Sequence, residues 1–196
     1  MYTDMEEKIS IQKENVLNAY KHASEEQKAL LENMFGKDMF QPQDIKERVK
    51  TFDDACEELG EDHQYVKAYR EWMRISYAEC KDITAYFKLR IICSALNEGR
   101  KPQFTEDECR WYPLFTLWNE EELKDKSEEW KVGKKLWLFG GSSNYASPCG
   151  LAFAFSDPAW AESTSNASAR LAVKSKELAE YFGKQFIDIW ADYLFG

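Results

Sequence analysis

The stretch that most constrains this chain is KDITAYFKLRIICSALNEG, residues 81–99. At helical spacing Ile83, Tyr86, Phe87, Leu89, Ile91, Ile92 and Leu96 cover more than half of the circumference. A helix that is apolar over so wide an arc must be covered on several sides. Residues 81–99 therefore predict the central helix of the fold, closed by NEGRKP, with Gly99 at its end and Pro102 just beyond.

The sequence before it also reads as helical. EEKISIQKENVLNAYKHA places Ile9, Val16 and Tyr20 near one face. Ser24 caps EEQKALLENMFG, with Glu25 and Glu26 in the positive first turn and Gly36 as the stop. KDMFQPQD is a linker, because Pro42 restricts Gln41. Thr51 and Asp54 make a capping-box start for TFDDACEELG, which Gly60 ends. In DHQYVKAYREWMRIS, Tyr65, Tyr69, Trp72 and Ile75 fall on one stripe.

After residue 102 the texture changes. RWYPLFTLW, KKLWLFG, GLAFAFS and a weaker SARLAV are short, aromatic and partly alternating. In GLAFAFS, Leu151, Phe153 and Phe155 share one face and the small Ala152 and Ala154 the other. FGGSSN and SDPAW supply turn residues. The charged run from Glu120 to Lys135 is a short helix or a loop between two strands. Ser175 then caps a last helix whose Leu178, Tyr181, Phe182, Phe186, Ile189, Trp190 and Tyr193 form one broad stripe. The expected class is α+β: a helical N-terminal part, then a small antiparallel aromatic-rich sheet packed against a C-terminal helix. Two parts are expected, an acidic helical extension over 1–43 and an α+β core over 44–196. The core divides into helices at 44–100 and sheet plus last helix at 103–196.

Charge bears on partners. Of the formal net −9, residues 1–65 carry −8, from 16 acids against 8 bases. Asp53, Asp54, Glu57, Glu58, Glu61 and Asp62 are the densest group and the candidate acidic docking surface; duplex DNA is disfavoured because its phosphates would be repelled. No apolar run reaches the ~18 residues of a membrane span, and MYTDMEEKIS lacks a signal-peptide layout. The five cysteines, Cys56, Cys80, Cys93, Cys109 and Cys149, form no CxxC pair. No membrane partner is expected, and the expected compartment is the cytoplasm.

Catalytic signatures are missing from the sequence. The two histidines, His22 and His63, sit in the helical front, far along the chain from the aromatic strands. No GxSxG, GxGxxG, Walker A, HExxH or EF-hand pattern occurs. Gly140 and Gly141 suit a hairpin turn better than a phosphate cradle, because no helix starts there. No metal or cofactor is expected, and the expectation is a protein that is not an enzyme.

WYPLF, GLAFAFS and SARLAVKSKELAEYFGKQFIDIWADYL, with VKTFDDACEELG and ALNEGRKPQF ahead of them, are similar to a pattern in a family of gut Bacteroidetes and phage proteins. Its members carry a YYPxF-like strand, a GFxF-like strand, a variable Ser/Tyr/Asn-rich loop and a GSRLxxKSxELAEYxGKQF ending. The resemblance spans about residues 44–196. The family's Gly-Ser ahead of Arg-Leu reads Ser168-Ala169 here, while Arg170 matches. The resemblance implies a phage or integrated mobile element, hence a bacterial host cytoplasm, and it implies no catalytic residues.

The functional expectation is a non-enzymatic protein-binding module. Loops rich in Ser, Asn, Tyr and Trp on a rigid sheet suit adaptable recognition. Residues 140–168 are read as such loops, with Tyr145, Trp160 and Asn166 as exposed contacts and Arg170 beside them. One alternative is an acidic counter-defence inhibitor of a host nuclease or nucleic-acid-guided complex; another is a virion or assembly component. Single-stranded nucleic acid is a further alternative partner, through Trp111, Phe115, Trp118, Trp137, Phe139 and Trp160 with Arg110, Lys131, Lys134, Lys135 and Arg170 nearby.

Overall fold

The computed structural model describes residues 10–75, 80–100, 109–139, 149–160 and 170–196. The chain divides into two compact units, Met1–Gln43 and Asp44–Gly196. The first unit holds α1 (Lys13–His22) and α2 (Glu25–Phe35). Ser24 and Gln27 form a full capping box at the start of α2, and Gly36 ends it at φ 86°. The Tyr20 ring stacks on Phe40 at 4.1 Å, and its hydroxyl donates to Glu32. Ile9 lies outside the described residues.

The second unit is built around one helix. Its elements α3 (Ile45–Arg48), α4 (Phe52–Leu59) and α5 (Gln64–Ile75) lead to α6 (Lys81–Leu96). Leu89, Ile91, Ile92, Ala95 and Leu96 of α6 are fully buried. They point in several directions, as the wide apolar arc requires: α4, α5 and α10 (Ile187–Phe195) all pack on α6. The stripe on α5 is cut short at its end. Tyr69 is buried and Trp72 Nε1 donates to Thr84 Oγ1 at 2.9 Å, but Ile75 is exposed. The turn after α6 closes at Gly99 as the sequence suggests, with one further left-handed residue. Glu98, at φ 53°, takes the left-handed position of the closing turn, with Gly99 following at φ 72°.

The sheet has the order β1–β3–β2, where β1 is Cys109–Asn119, β2 is Trp137–Phe139 and β3 is Cys149–Trp160. Both pairings are antiparallel, and β1 shifts register between Leu114 and Phe115. SDPAW, expected as a turn, is the second half of β3, with Trp160 opposite Cys109. Proline is tolerated there for a reason of direction. Trp111 exchanges both backbone bonds with Val173, so its peptide groups point away from β3. Pro158, directly opposite Trp111, sits at a non-hydrogen-bonded pair and its missing N–H costs the β1–β3 ladder nothing. The described part of SARLAV, residues 170–173, contributes that one bridge at Val173 rather than a strand.

The charged run after β1 forms two short helices, α7 (Glu120–Lys124) and α8 (Glu128–Gly133). Leu123 of α7 reaches the sheet at Gly150, where an added Cβ would lie 3.0 Å from its methyl and 2.7 Å from Leu136. The last helix, expected as one, is two. Phe186, at φ −116° and ψ 32°, leaves the helical region between α9 (Lys176–Gln185) and α10. The break lets α9 lie on β1 and β3 while α10 turns onto α6. Phe115, Phe182, Phe186 and Trp190 fill the angle between them, with Trp190 5.1 Å from Phe182 and 5.2 Å from Phe115. Among the described residues no helix is long and apolar enough to cross a membrane.

Candidate functional site

The short β2 leaves a cleft beside the sheet. It pairs with β3 only as far as Leu151, so the edge of β3 beyond it needs another partner. Lys134 supplies one: its carbonyl accepts from Phe153 N–H at 3.0 Å, and its Nζ donates to the Ala154 carbonyl at 2.7 Å. Lys134 is held there by the turn that ends α8, in which Lys135 takes φ 53° and Leu136 N–H bonds back to the Lys131 carbonyl at 2.9 Å.

Across from this edge runs the polar stripe of α9. Lys176, Glu180 and Lys184 lie four residues apart and therefore on one face. Between α8 and α9 is a cleft of about 400 Å³, with Trp130, Phe153 and Ala154 as apolar lining and Lys134, Lys176, Glu180 and Lys184 as its polar groups. Lys184 lies 5.3 Å from the Phe153 ring centroid and Lys134 5.9 Å from it, so both ammoniums sit within reach of the ring. Lys184 also pairs with Glu180 at 2.6 Å. That bond, with Lys176 and Lys134 nearby, holds the Glu180 carboxyl below its usual range. Three ammoniums thus face one carboxylate in a chain that is acidic overall. Behind the cleft, Trp118 and Trp130 meet edge to face at 5.3 Å, and Lys126 lies 4.2 Å over Trp118.

A second, smaller hollow of about 50 Å³ lies at the C-terminal end of α6, lined among others by His63, Tyr65, Arg90, Asn97, Arg100 and Arg170. Asn97 builds its floor. Buried at 4 % exposure, it donates to the Ala172 carbonyl at 3.0 Å and accepts from Lys174 N–H at 2.9 Å. Cys93 Sγ lies 3.2 Å from the same carbonyl. Burial pushes the Cys93 thiol up to about 12.

The residues named from sequence fall unevenly. Tyr145 and Asn166 lie outside the described residues. Trp160 ends β3. Arg170 is exposed at the mouth of the smaller hollow. The six acids occupy α4 and the turn after it, and four of them are engaged within the chain. Asp54 accepts from Lys50 and Thr51 N–H. Glu58 takes a two-pronged bond from Arg48 at 3.0 and 2.9 Å. Glu61 pairs with Arg70 at 2.8 Å and Asp62 with Lys67 at 2.9 Å. Asp53 and Glu57 are exposed and make no ion pair among the described residues.

Of the aromatics, Phe115 packs into the core and Trp137 is 43 % exposed. Among the described residues no group of three or more His, Cys, Asp or Glu is placed to hold a metal. Sequence reasoning passed over Lys176, Glu180 and Lys184, although their four-residue repeat on a capped helix was a usable signal. No protein-family model, curated protein or solved structure matches this chain.

Proposed function

We propose that the chain is a non-enzymatic binding protein whose lysine-rimmed cleft receives an acidic segment of a partner protein. We place it, by the sequence resemblance, in a phage or mobile element acting in a bacterial host's cytoplasm. The observation that carries the reading is the placement of Lys134, Lys176 and Lys184 around Phe153 and Trp130. Apolar walls lower the effective dielectric and strengthen each lysine's attraction for a carboxylate. A cleft of about 400 Å³ takes a few side chains rather than a folded surface. Among the described residues its lining has no hydroxyl, thiol or imidazole, which favours recognition over catalysis.

The acidic-inhibitor reading has less support, because four of its six carboxylates already answer cations of this chain or cap a helix. Trp130 reports directly on the cleft. Titration of its fluorescence with a glutamate-rich peptide is expected to saturate, to weaken steeply with salt, and to vanish in Lys176→Glu/Lys184→Glu. A single-stranded oligonucleotide that binds in place of the peptide would transfer the site to the nucleic-acid alternative. Peptide binding that survives the double substitution would remove the cleft from the function.

A further inference from the structure

The smaller hollow presents a different chemistry from the lysine cleft. Its organising residue is Arg90. The guanidinium lies 4.5 Å over the Tyr65 ring and donates to the Tyr65 hydroxyl and to the Arg170 carbonyl. All of these partners are neutral. Among the described residues neither Arg90 nor Arg170 makes an ion pair, and no carboxylate lines the hollow. A half-buried guanidinium without a counter-charge is costly, and an incoming anion offsets that cost.

The neighbours point the same way. His63 Nδ1 accepts from Tyr65 N–H at 3.3 Å, which fixes the ring at the wall of the hollow. The lining is drawn from separate segments, with Arg90 on α6 and Arg170 ahead of the Val173 bridge. Donors from separate segments converging on about 50 Å³ suit one small oxyanion with oxygens pointing several ways. Planar guanidinium forks match phosphate in particular.

We propose that the Arg90–Arg170 hollow is a binding site for a phosphate group, either the free ion or the monoester of a small molecule. It is independent of the lysine cleft. The test is thermal unfolding of the full chain in sodium phosphate, in a nucleoside 5′-monophosphate, and in sodium chloride at matched ionic strength. Phosphate is expected to raise Tm with the logarithm of its concentration above Kd, by about 5 °C at a hundredfold excess. Arg170→Glu, an exposed position, is expected to keep the Tm in chloride and lose the phosphate response; Arg170→Gln gives the same reading in a neutral variant. Lys176→Glu/Lys184→Glu is expected to keep the response, which separates the two sites. A monophosphate that gives the same Tm rise at tenfold lower concentration than inorganic phosphate identifies an ester, and equal concentrations for the same rise identify the free ion. A Tm rise that is the same in the Arg170 variants is a general salt effect and overturns the proposal, as does the absence of any rise.

Discussion

Gly183 of α9 and Phe153 of β3 meet so closely that a Cβ on the glycine would stand 2.8 Å from the phenyl ring. The same Cβ would stand 2.6 Å from Pro113 of β1. Glycine inside a helix ordinarily costs about 1 kcal/mol against alanine, so Gly183→Ala has a propensity gain in its favour. Here the contact wins, because a phenyl ring and a proline ring have little room to retreat. Gly183→Ala is expected to destabilise by about 1–3 kcal/mol, read as a lower urea midpoint at unchanged slope. A gain in stability would mean that α9 lifts freely from the sheet.

Asn97 ties the end of α6 to residues 172–174 through two bonds made in a buried place. Asn97→Ala leaves the buried Ala172 carbonyl and the part-buried Lys174 N–H each one partner short. The expected loss is about 1–3 kcal/mol, measured by chemical denaturation. Phosphate binding should weaken with it, since the floor of the smaller hollow is lost.

Glu98 faces Lys174 and Arg48. The Lys174 bond first, and then Arg48, hold its carboxyl below the ordinary value of 4.5. A carboxylate with a depressed folded pKa adds stability above its unfolded pKa and loses it as pH falls through the folded one. The contribution is therefore complete above about pH 4.5 and fades below it. Glu98 is 43 % exposed at its side chain, so solvent screens the effect and it is small. Glu98→Gln is expected to flatten the acid limb of the stability profile below pH 4.5 and to lower the plateau above it. A parallel profile at every pH would exclude the ion pairs as its source.

Thiol chemistry separates the cysteines. Burial raises Cys56 to about 11 and Cys93 to about 12, and the thiolate is the reactive form. Native protein at pH 8 is expected to leave both unalkylated by iodoacetamide over the time in which the unfolded chain reacts, as read by peptide mass spectrometry. Rapid native labelling of Cys93 would show that the end of α6 opens readily.

Local chemistry was legible in the residues themselves. Ser24, Thr51 and Ser175 cap their helices as their side chains dictate. The apolar arc of residues 81–96 did require burial on several sides, and the alternation in GLAFAFS did mark a strand. Each of these signals acts over a few residues, within reach of one turn or one pleat.

What the chain does over distance was decided by packing. Phe186 breaks the last helix because two surfaces, the sheet and α6, compete for one apolar stripe. SDPAW becomes strand because β1 is long enough to pair with it and Pro158 falls where no ladder bond is due. The lysine cleft exists because β2 is short and Lys134 takes over the exposed edge of β3, opposite three residues of a helix more than forty positions later. By itself the sequence determined the helix caps, the central helix and the GLAFAFS strand, and which of their faces must be covered, since those depend on neighbours in the chain. Only the tertiary structure decided which cations share a site, since that depends on neighbours in space.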